Sequence, residues 1–240
     1  MNKEISTVFF DIDGVIFDRD SAEKEAVFSV LKKECNILKN DYLKVWKKCN
    51  KFVWNECQHE KITAEKAKLL RWQLLLKEYD KEISENKAYI CSQQYYQLTC
   101  NKKYLVKGID IVLKECMRQG MTMGIITNGF ENVQRNKLIQ CGLINYFSEI
   151  ITEKKTGYRK PDIRIYNYAL DCMNIKAPEM IYIGNSYEND IIPTSELGIN
   201  VIWFDCNWLV TDPKYKYKKN IYLASDVTKI LPIIDYIRSM

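Results

Sequence analysis

Asp11 and Asp13 are the residues of this 240-residue chain whose types and spacing most directly suggest chemistry. They close the run Val8-Phe9-Phe10-Asp11-Ile12-Asp13-Gly14. Val8, Phe9 and Phe10 read as a buried strand of a parallel sheet. Residues two apart on an extended chain point the same way, so both carboxylates can face one small volume. Gly14 lets the chain turn sharply straight afterwards. Open α/β sheets bind ligands at the carboxyl ends of their strands. Two acids there, with no basic neighbour in sequence, repel each other unless a cation lies between them or one is protonated. The pair is a metal site, an acid/base pair, or both. An isolated D-x-D also serves as a helix or turn cap, so residues further along the chain must decide between these readings.

Three more groups lie downstream. Met123-Gly124-Ile125-Ile126-Thr127-Asn128-Gly129 is a strand ending in hydroxyl, amide and glycine. A helix with an apolar face at Val133, Leu138 and Ile139 is expected soon after. Helix N-termini and nearby backbone N–H groups favour anions, which places Thr127 and Asn128 to hold phosphate oxygens. Gly157-Tyr158-Arg159-Lys160-Pro161-Asp162 is a loop that delivers a cation just before another helix. Met180-Ile181-Tyr182-Ile183-Gly184 is a strand followed by Asn185, Glu188 and Asp190. Gly129, Gly157 and Gly184 read as backbone turns without chemistry of their own.

In this order, Asp11-x-Asp13, Thr127, Lys160-Pro161 and Gly184-x₅-Asp190 resemble the four motifs of the haloacid dehalogenase superfamily. Residues 127–138 (TNGFENVQRNKL) and 146–170 are similar to the pyrimidine 5′-nucleotidases of that superfamily. So are Phe17-Asp18 with Ala22-Glu23, and the stretch from Asn50 through Trp54 and Ile62-Thr63 to Arg71-Trp72. The resemblance runs over roughly residues 5 to 205.

The resemblance implies an Mg²⁺-dependent phosphomonoesterase. Asp11 would attack phosphorus and form an aspartyl-phosphate. Asp13 would protonate the leaving alkoxide and then activate water, and is expected to start neutral beside ionised Asp11. Thr127, the Asn128 backbone and Lys160 would bind the transferring phosphoryl group. Mg²⁺ would be held by Asp11, the Asp13 carbonyl and Asn185, with waters completing an octahedron. The pattern departs from the family at Asn185, where Asp is usual; weaker metal affinity is expected. Asp190 would act behind the ligands, orienting Lys160 or a water on the metal, and Glu188 would compensate in part. Nucleoside 5′-monophosphates are the expected substrates. Two alternatives stand: a phosphatase of sugar phosphates or other small phosphomonoesters, and a non-catalytic binder of phosphorylated ligands, which Asn185 alone favours. A dehalogenase fits less well, because a halide leaving group has less need of an acid such as Asp13.

The elements that must position these residues are also legible. From about Asp20 to Thr99 the chain has no glycine or proline and shows helical spacing, with a stripe at Leu69, Trp72, Leu75, Leu76 and Tyr79. Helices are expected at roughly 20–38, 41–58, 63–79 and 84–99. Beyond Gly108 strands and helices alternate, as in a doubly wound parallel sheet. Strands are expected at 122–127, 149–152, 180–184 and 200–204. The fold is therefore α/β: a Rossmann-like core of residues 1–18 and 105–240, with an inserted helical cap of residues 19–104. An insert leaving after the first strand's acids should lie above the site; the resemblance implies a cap that closes over substrate and excludes water, with hinges near 14–20 and 100–108. The tryptophans Trp46, Trp54 and Trp72 read as packing residues, Trp54 being the one best suited to stack on a base.

Net charge is +5, too mild to argue for nucleic acid. The excess lies between Arg19 and Tyr104, with 18 Lys and Arg against 12 Asp and Glu. A solvated helical surface or a basic cover over an anionic substrate explains it. The basic, tyrosine-rich stretch 212–219 reads as a solvated loop. Nine cysteines without a C-x-x-C pair read as free thiols in a reducing cytoplasm. The start of the chain resembles neither a signal peptide nor an anchor, and no apolar run reaches the ~20 residues of a membrane span. The expected partner is a small phosphomonoester, with neither nucleic acid polymer nor membrane, and the chain a monomer or homodimer.

Overall fold

A computed structural model describes residues 5–59, 61–204 and 219–240. The stretch 212–218 of the expected basic loop lies outside the described residues. The chain divides into two compact units, Arg19–Cys100 on one side and Met1–Asp18 with Asn101–Met240 on the other.

The first unit is helical: α1 (Arg19–Cys35), α2 (Tyr42–Gln58), α3 (Ala64–Lys77) and α4 (Glu85–Thr99). Thr63 and Ser84 begin α3 and α4, their side-chain oxygens accepting from Lys66 N and Lys87 N at 3.2 Å each. Such caps satisfy backbone donors that the first turn leaves unpaired. The expected stripe is the core-facing surface of α3. Trp72, Leu75 and Leu76 are buried, and Leu69 and Tyr79 pack against them. Trp46 and Trp72 are fully buried, their ring centroids 4.7 Å apart, and Tyr95 joins them. Both are packing residues. Trp54 is half-buried and donates to Asn50 Oδ1 at 3.0 Å.

The second unit holds a six-stranded sheet: β1 (Thr7–Phe10), β2 (Thr122–Thr127), β3 (Glu149–Thr152), β4 (Met180–Gly184), β5 (Asn200–Phe204) and β6 (Ile221–Ala224). Its order is β3-β2-β1-β4-β5-β6, and every pair is parallel. Among the described residues six helices accompany it: α5 (Ile109–Arg118), α6 (Glu131–Gln140), α7 (Glu153–Thr156), α8 (Ile163–Met173), α9 (Ile192–Glu196) and α10 (Ile230–Ser239). The fold is the expected α/β class, and β2 to β5 fall where the sequence places them. β6 was not expected. It is a four-residue strand in which Ile221 and Ala224 are buried while Leu223 is exposed, too short and mixed to stand out as a strand.

Strand order creates the place for a site. The chain runs from β1 outward through β2 and β3, then crosses back to β4 on the other side of β1. Connections leaving β1 and β4 diverge, which opens a crevice at their carboxyl ends. Asp11 N donates to Ile183 O at 2.9 Å, extending the β1–β4 ladder to the catalytic candidate itself. The segments leaving and re-entering this unit run side by side: Asp18 N donates to Tyr104 O at 2.7 Å and Val106 N to Ile16 O at 2.9 Å.

The β1–β2 contact is close because Gly124 faces Phe9 in register. A Cβ on Gly124 would lie 2.2 Å from the Phe9 ring, far inside contact distance. Phe9 is fully buried and cannot swing to solvent. Gly124→Ala should therefore destabilise the α/β unit by about 1–3 kcal/mol through overpacking. Denaturant unfolding measures it; an unchanged midpoint would mean the strands separate at no cost.

Candidate active site

The site is built around one buried lysine. Lys160, 4% exposed, lies on the loop between α7 and α8. Its Nζ is 2.9 Å from Asp11 Oδ1 and 2.7 Å from Asp190 Oδ1. It also approaches the Tyr182 hydroxyl at 3.2 Å. The loop carrying it is held by Asn128. The Asn128 amide donates to Lys160 O and accepts from Lys160 N, both at 2.8 Å. The Asn128 side chain thus tethers a loop, leaving only its backbone for the oxygen-binding role the sequence suggests.

Asp190 is fully buried and surrounded by donors. Its Oδ1 accepts from Lys160 and from the Tyr182 hydroxyl at 2.9 Å, and its Oδ2 from Asn185 N at 3.2 Å and Ser186 N at 2.9 Å. Asp190 therefore shapes the loop after β4 as well as holding Lys160. Gly184 makes this possible by close approach, not by a turn: a Cβ there would lie 2.5 Å from Asp190 Cβ. Gly129 is similar, since its Cβ would meet Gln134 Nε2 at 2.0 Å. Gly157, at φ +77°, is the turn residue the sequence suggests.

Asp13 lies apart from the lysine that holds Asp11. Its Oδ1 is 2.6 Å from Lys137 Nζ and its Oδ2 2.8 Å from Gln134 Nε2. The two carboxylates do not have to share one cation; each has a lysine from a distant element. Both side-chain oxygens of Asp13 thus accept from α6. Thr127 Oγ1 accepts from Gly129 N at 3.1 Å and Gln134 Nε2 at 3.2 Å. Gln134, Lys137 and Tyr182 are thus members of the site that the sequence does not single out. The reason for the first two is visible in α6. Its expected apolar face was Val133, Leu138 and Ile139. In fact Gln134, Lys137 and Leu138 are buried, while Ile139 is 52% exposed. The spacing i, i+3, i+4 was the available signal, but polar side chains carry it.

Asn185 is exposed, yet its amide is folded against the turn after Asp13. A Cβ on Gly14, at φ +96°, would lie 2.1 Å from Asn185 Nδ2 and 3.1 Å from Oδ1. Only glycine accepts that backbone and that proximity. Glu188 is exposed on the single wide helical turn Tyr187–Ile191. Among the described residues no three His, Cys, Asp or Glu side chains gather as a metal cluster. The candidate donors are instead mixed oxygens: the Asp11 carboxylate, the Asp13 carbonyl and the Asn185 amide. All-oxygen donors with few carboxylates fit Mg²⁺, which keeps several waters.

Electrostatics follow from burial. Burial pushes the Asp11 carboxyl up to about 7; Lys160 opposes this, while Asp190 and Asp13 add to it. For Lys160 the balance reverses. Burial disfavours its charge, but Asp11 and Asp190 together outweigh burial and raise its pKa. One cation serving two acids is enough for itself and insufficient for Asp11. Burial also raises the Tyr182 hydroxyl well above its ordinary value, so it stays neutral.

A family model, haloacid dehalogenase-like hydrolase, matches residues 8–204. The chain belongs to this family. Among relatives of this hydrolase, the HAD-hydrolase YfnB of Bacillus subtilis is 26% identical over 204 residues, 85% of each chain. Pyrimidine 5′-nucleotidase PynA of Streptococcus pneumoniae is 23% identical over 225 residues, 93% of this chain and 94% of PynA. A glyceraldehyde 3-phosphate phosphatase of Methanocaldococcus jannaschii is 29% identical over 129 residues, 53% of this chain and 54% of that protein. The crystal structure of YfnB, described as bound to magnesium, superposes with a TM-score of 0.80 at 24% identity, covering 97% of this chain and all of that one. Among the described residues of this hydrolase, no helix is long and apolar enough to cross a membrane.

The raised Asp11 pKa makes a prediction about the metal-free protein. In the folded state Asp11 binds its proton up to about pH 7, whereas unfolded it releases it near 3.8. The unfolded state therefore holds fewer protons between these values, and stability falls as pH rises from about 4 to 7. The loss should be on the order of a few kcal/mol. Asp11→Asn should flatten that slope and melt above wild type at pH 7.5. Thermal melts with chelator at pH 5 and 7.5 test it; equal slopes in both proteins would show that Asp11 is not strained by burial.

Proposed function

We propose that this hydrolase is an Mg²⁺-dependent phosphomonoesterase acting on nucleoside 5′-monophosphates through an aspartyl-phosphate. The observation that carries the reading is the Lys160 ammonium, held within 2.9 Å of Asp11 at the carboxyl end of the sheet. A cation fixed beside a nucleophilic carboxylate is what an incoming phosphoryl dianion needs.

An Asp11 carboxylate oxygen attacks phosphorus, and the bond from phosphorus to the ester oxygen breaks. Asp13, protonated once the phosphoryl dianion lies beside it, gives that proton to the departing alkoxide. Asp13 then takes a proton from water as that water attacks the aspartyl-phosphate, and inorganic phosphate leaves with Asp11 restored. Lys160, the Thr127 hydroxyl and the backbone at Asn128 hold the equatorial oxygens through both steps. Asp190 and Tyr182 keep the lysine in place. Asp11, the Asp13 carbonyl and Asn185 would hold Mg²⁺, which would supply charge neutralisation at the site.

Nucleotide preference is supported by the likeness to PynA over nearly the full chain. The likeness to a glyceraldehyde 3-phosphate phosphatase over about half of it supports the second reading, a small sugar phosphate. Asn185 supports the third, a weakly catalytic or non-catalytic phosphate binder.

Phosphate release from pyrimidine and purine 5′-monophosphates, sugar phosphates and p-nitrophenyl phosphate, with and without Mg²⁺, separates these readings. The expected result is Mg²⁺-dependent hydrolysis with pyrimidine monophosphates best. Asn185→Asp should lower the Mg²⁺ needed for half-maximal rate by about tenfold if the added charge contributes ~1.4 kcal/mol. A preference for sugar phosphates would favour the second reading, and no turnover with any ester the third. An unchanged Mg²⁺ requirement in Asn185→Asp would remove Asn185 from the ligand set.

A further inference from the structure

Both oxygens of Asp13 are held from a single helix. Lys137 Nζ takes Oδ1 at 2.6 Å and Gln134 Nε2 takes Oδ2 at 2.8 Å. The same Gln134 nitrogen reaches Thr127 Oγ1 at 3.2 Å. One amide group thus spans the side chain that would handle the leaving group and the hydroxyl that would hold the phosphoryl group.

Packing alone does not account for this arrangement. Gln134 is 1% exposed and Lys137 8%. Gln134 Oε1 is buried without a hydrogen-bond partner among the described residues. Burying such groups costs more than burying apolar ones of similar size. Leu138, next to them on α6, shows that apolar packing is available on that face. The surroundings are shaped to the pair. Gly129 leaves out the Cβ that would collide with Gln134 Nε2. The Phe17 ring, four residues beyond Asp13, lies 5.5 Å from Lys137 Nζ, where a ring face favours an ammonium.

We propose that Gln134 and Lys137 are positioning residues that fix the Asp13 carboxyl group relative to Thr127, so that the proton Asp13 takes up as the substrate dianion binds reaches the leaving oxygen from a set direction. This rests on the reading of Asp13 as the leaving-group acid. A misoriented acid matters most where the leaving alkoxide is strongly basic, and little where p-nitrophenolate departs unaided. Substrate binding depends on Lys160 and the Thr127 hydroxyl and should change little.

The test measures leaving-group release in single turnovers of the Mg²⁺-loaded enzyme, with a nucleoside monophosphate and with p-nitrophenyl phosphate. Asp13→Ala is the reference; Lys137→Met, Lys137→Arg and Gln134→Met are the probes. Lys137→Met and Gln134→Met should slow the alkyl ester by about tenfold or more. They should leave the aryl ester within about threefold, with similar half-saturation. Lys137→Arg should recover part of the alkyl rate. If Lys137→Met fails to fold, Gln134→Met carries the same expectation. Equal losses on both esters, or a change in half-saturation alone, would overturn the proposal provided Asp13→Ala does discriminate between them. An Asp13→Ala variant that does not discriminate would instead overturn the reading of Asp13 beneath it.

Discussion

A buried ammonium group is tolerated only where carboxylates and hydrogen-bond acceptors replace the water it has lost. Lys160 finds that compensation on two different strands, from Asp11 after β1 and Asp190 after β4. Much of the surrounding architecture serves that contact. Asn128 pins the lysine's loop to the end of β2 by paired hydrogen bonds. Gly184 lets Asp190 approach, and the backbone N–H groups of Asn185 and Ser186 complete the Asp190 carboxylate. Tyr182, rising from β4, adds its hydroxyl to the same oxygen. The ends of β1 and β4 are thus held together by one cation, and the loop that carries it is tied to the end of β2.

The same economy of charge explains why the site suits an anion and a hard cation together. Asp11 and Asp190 share Lys160, and Asp13 has Lys137. Three acids thus face two lysines. Asp11 is left with too little positive charge, which is why burial can push its carboxyl up to about 7. A divalent cation would relieve that excess and still leave Lys160 directed at a phosphoryl oxygen. Asn185 lies beside Gly14, and in the proposed site it would present a neutral oxygen to such a cation.

The fold was legible because parallel strands buried on both faces are continuous apolar runs, and these end abruptly in polar residues at Asp11, Thr127 and Asn185. The helical stretch was legible because eighty residues without glycine or proline hold their apolar stripe. Three site members were not. Tyr182 lies inside an apolar strand, where a tyrosine reads as packing; only the three-dimensional proximity of Asp190 gives its hydroxyl a purpose. Gln134 and Lys137 lie outside the apolar face expected at Val133, Leu138 and Ile139, because a periodic pattern assumes that buried positions are apolar. Here two of the buried side chains of α6 are polar, and both donate to Asp13, which lies more than a hundred residues away in sequence. Long-range electrostatic pairing leaves no local periodic signal. The glycines show the same gap, since Gly184 and Gly129 are required by distant side chains and not by their own backbone angles.

The central claim is that Asp11 carries the phosphoryl group. The most direct measurement is rapid acid quenching of the enzyme within one turnover of a phosphorus-labelled ester, followed by borohydride reduction and peptide mapping. The account predicts label on the peptide containing Asp11, conversion of that residue to homoserine on reduction, and a longer-lived labelled species in Asp13→Ala, where water is no longer activated. Label on any other residue, or no labelled protein in wild type and Asp13→Ala while product still forms, would contradict it.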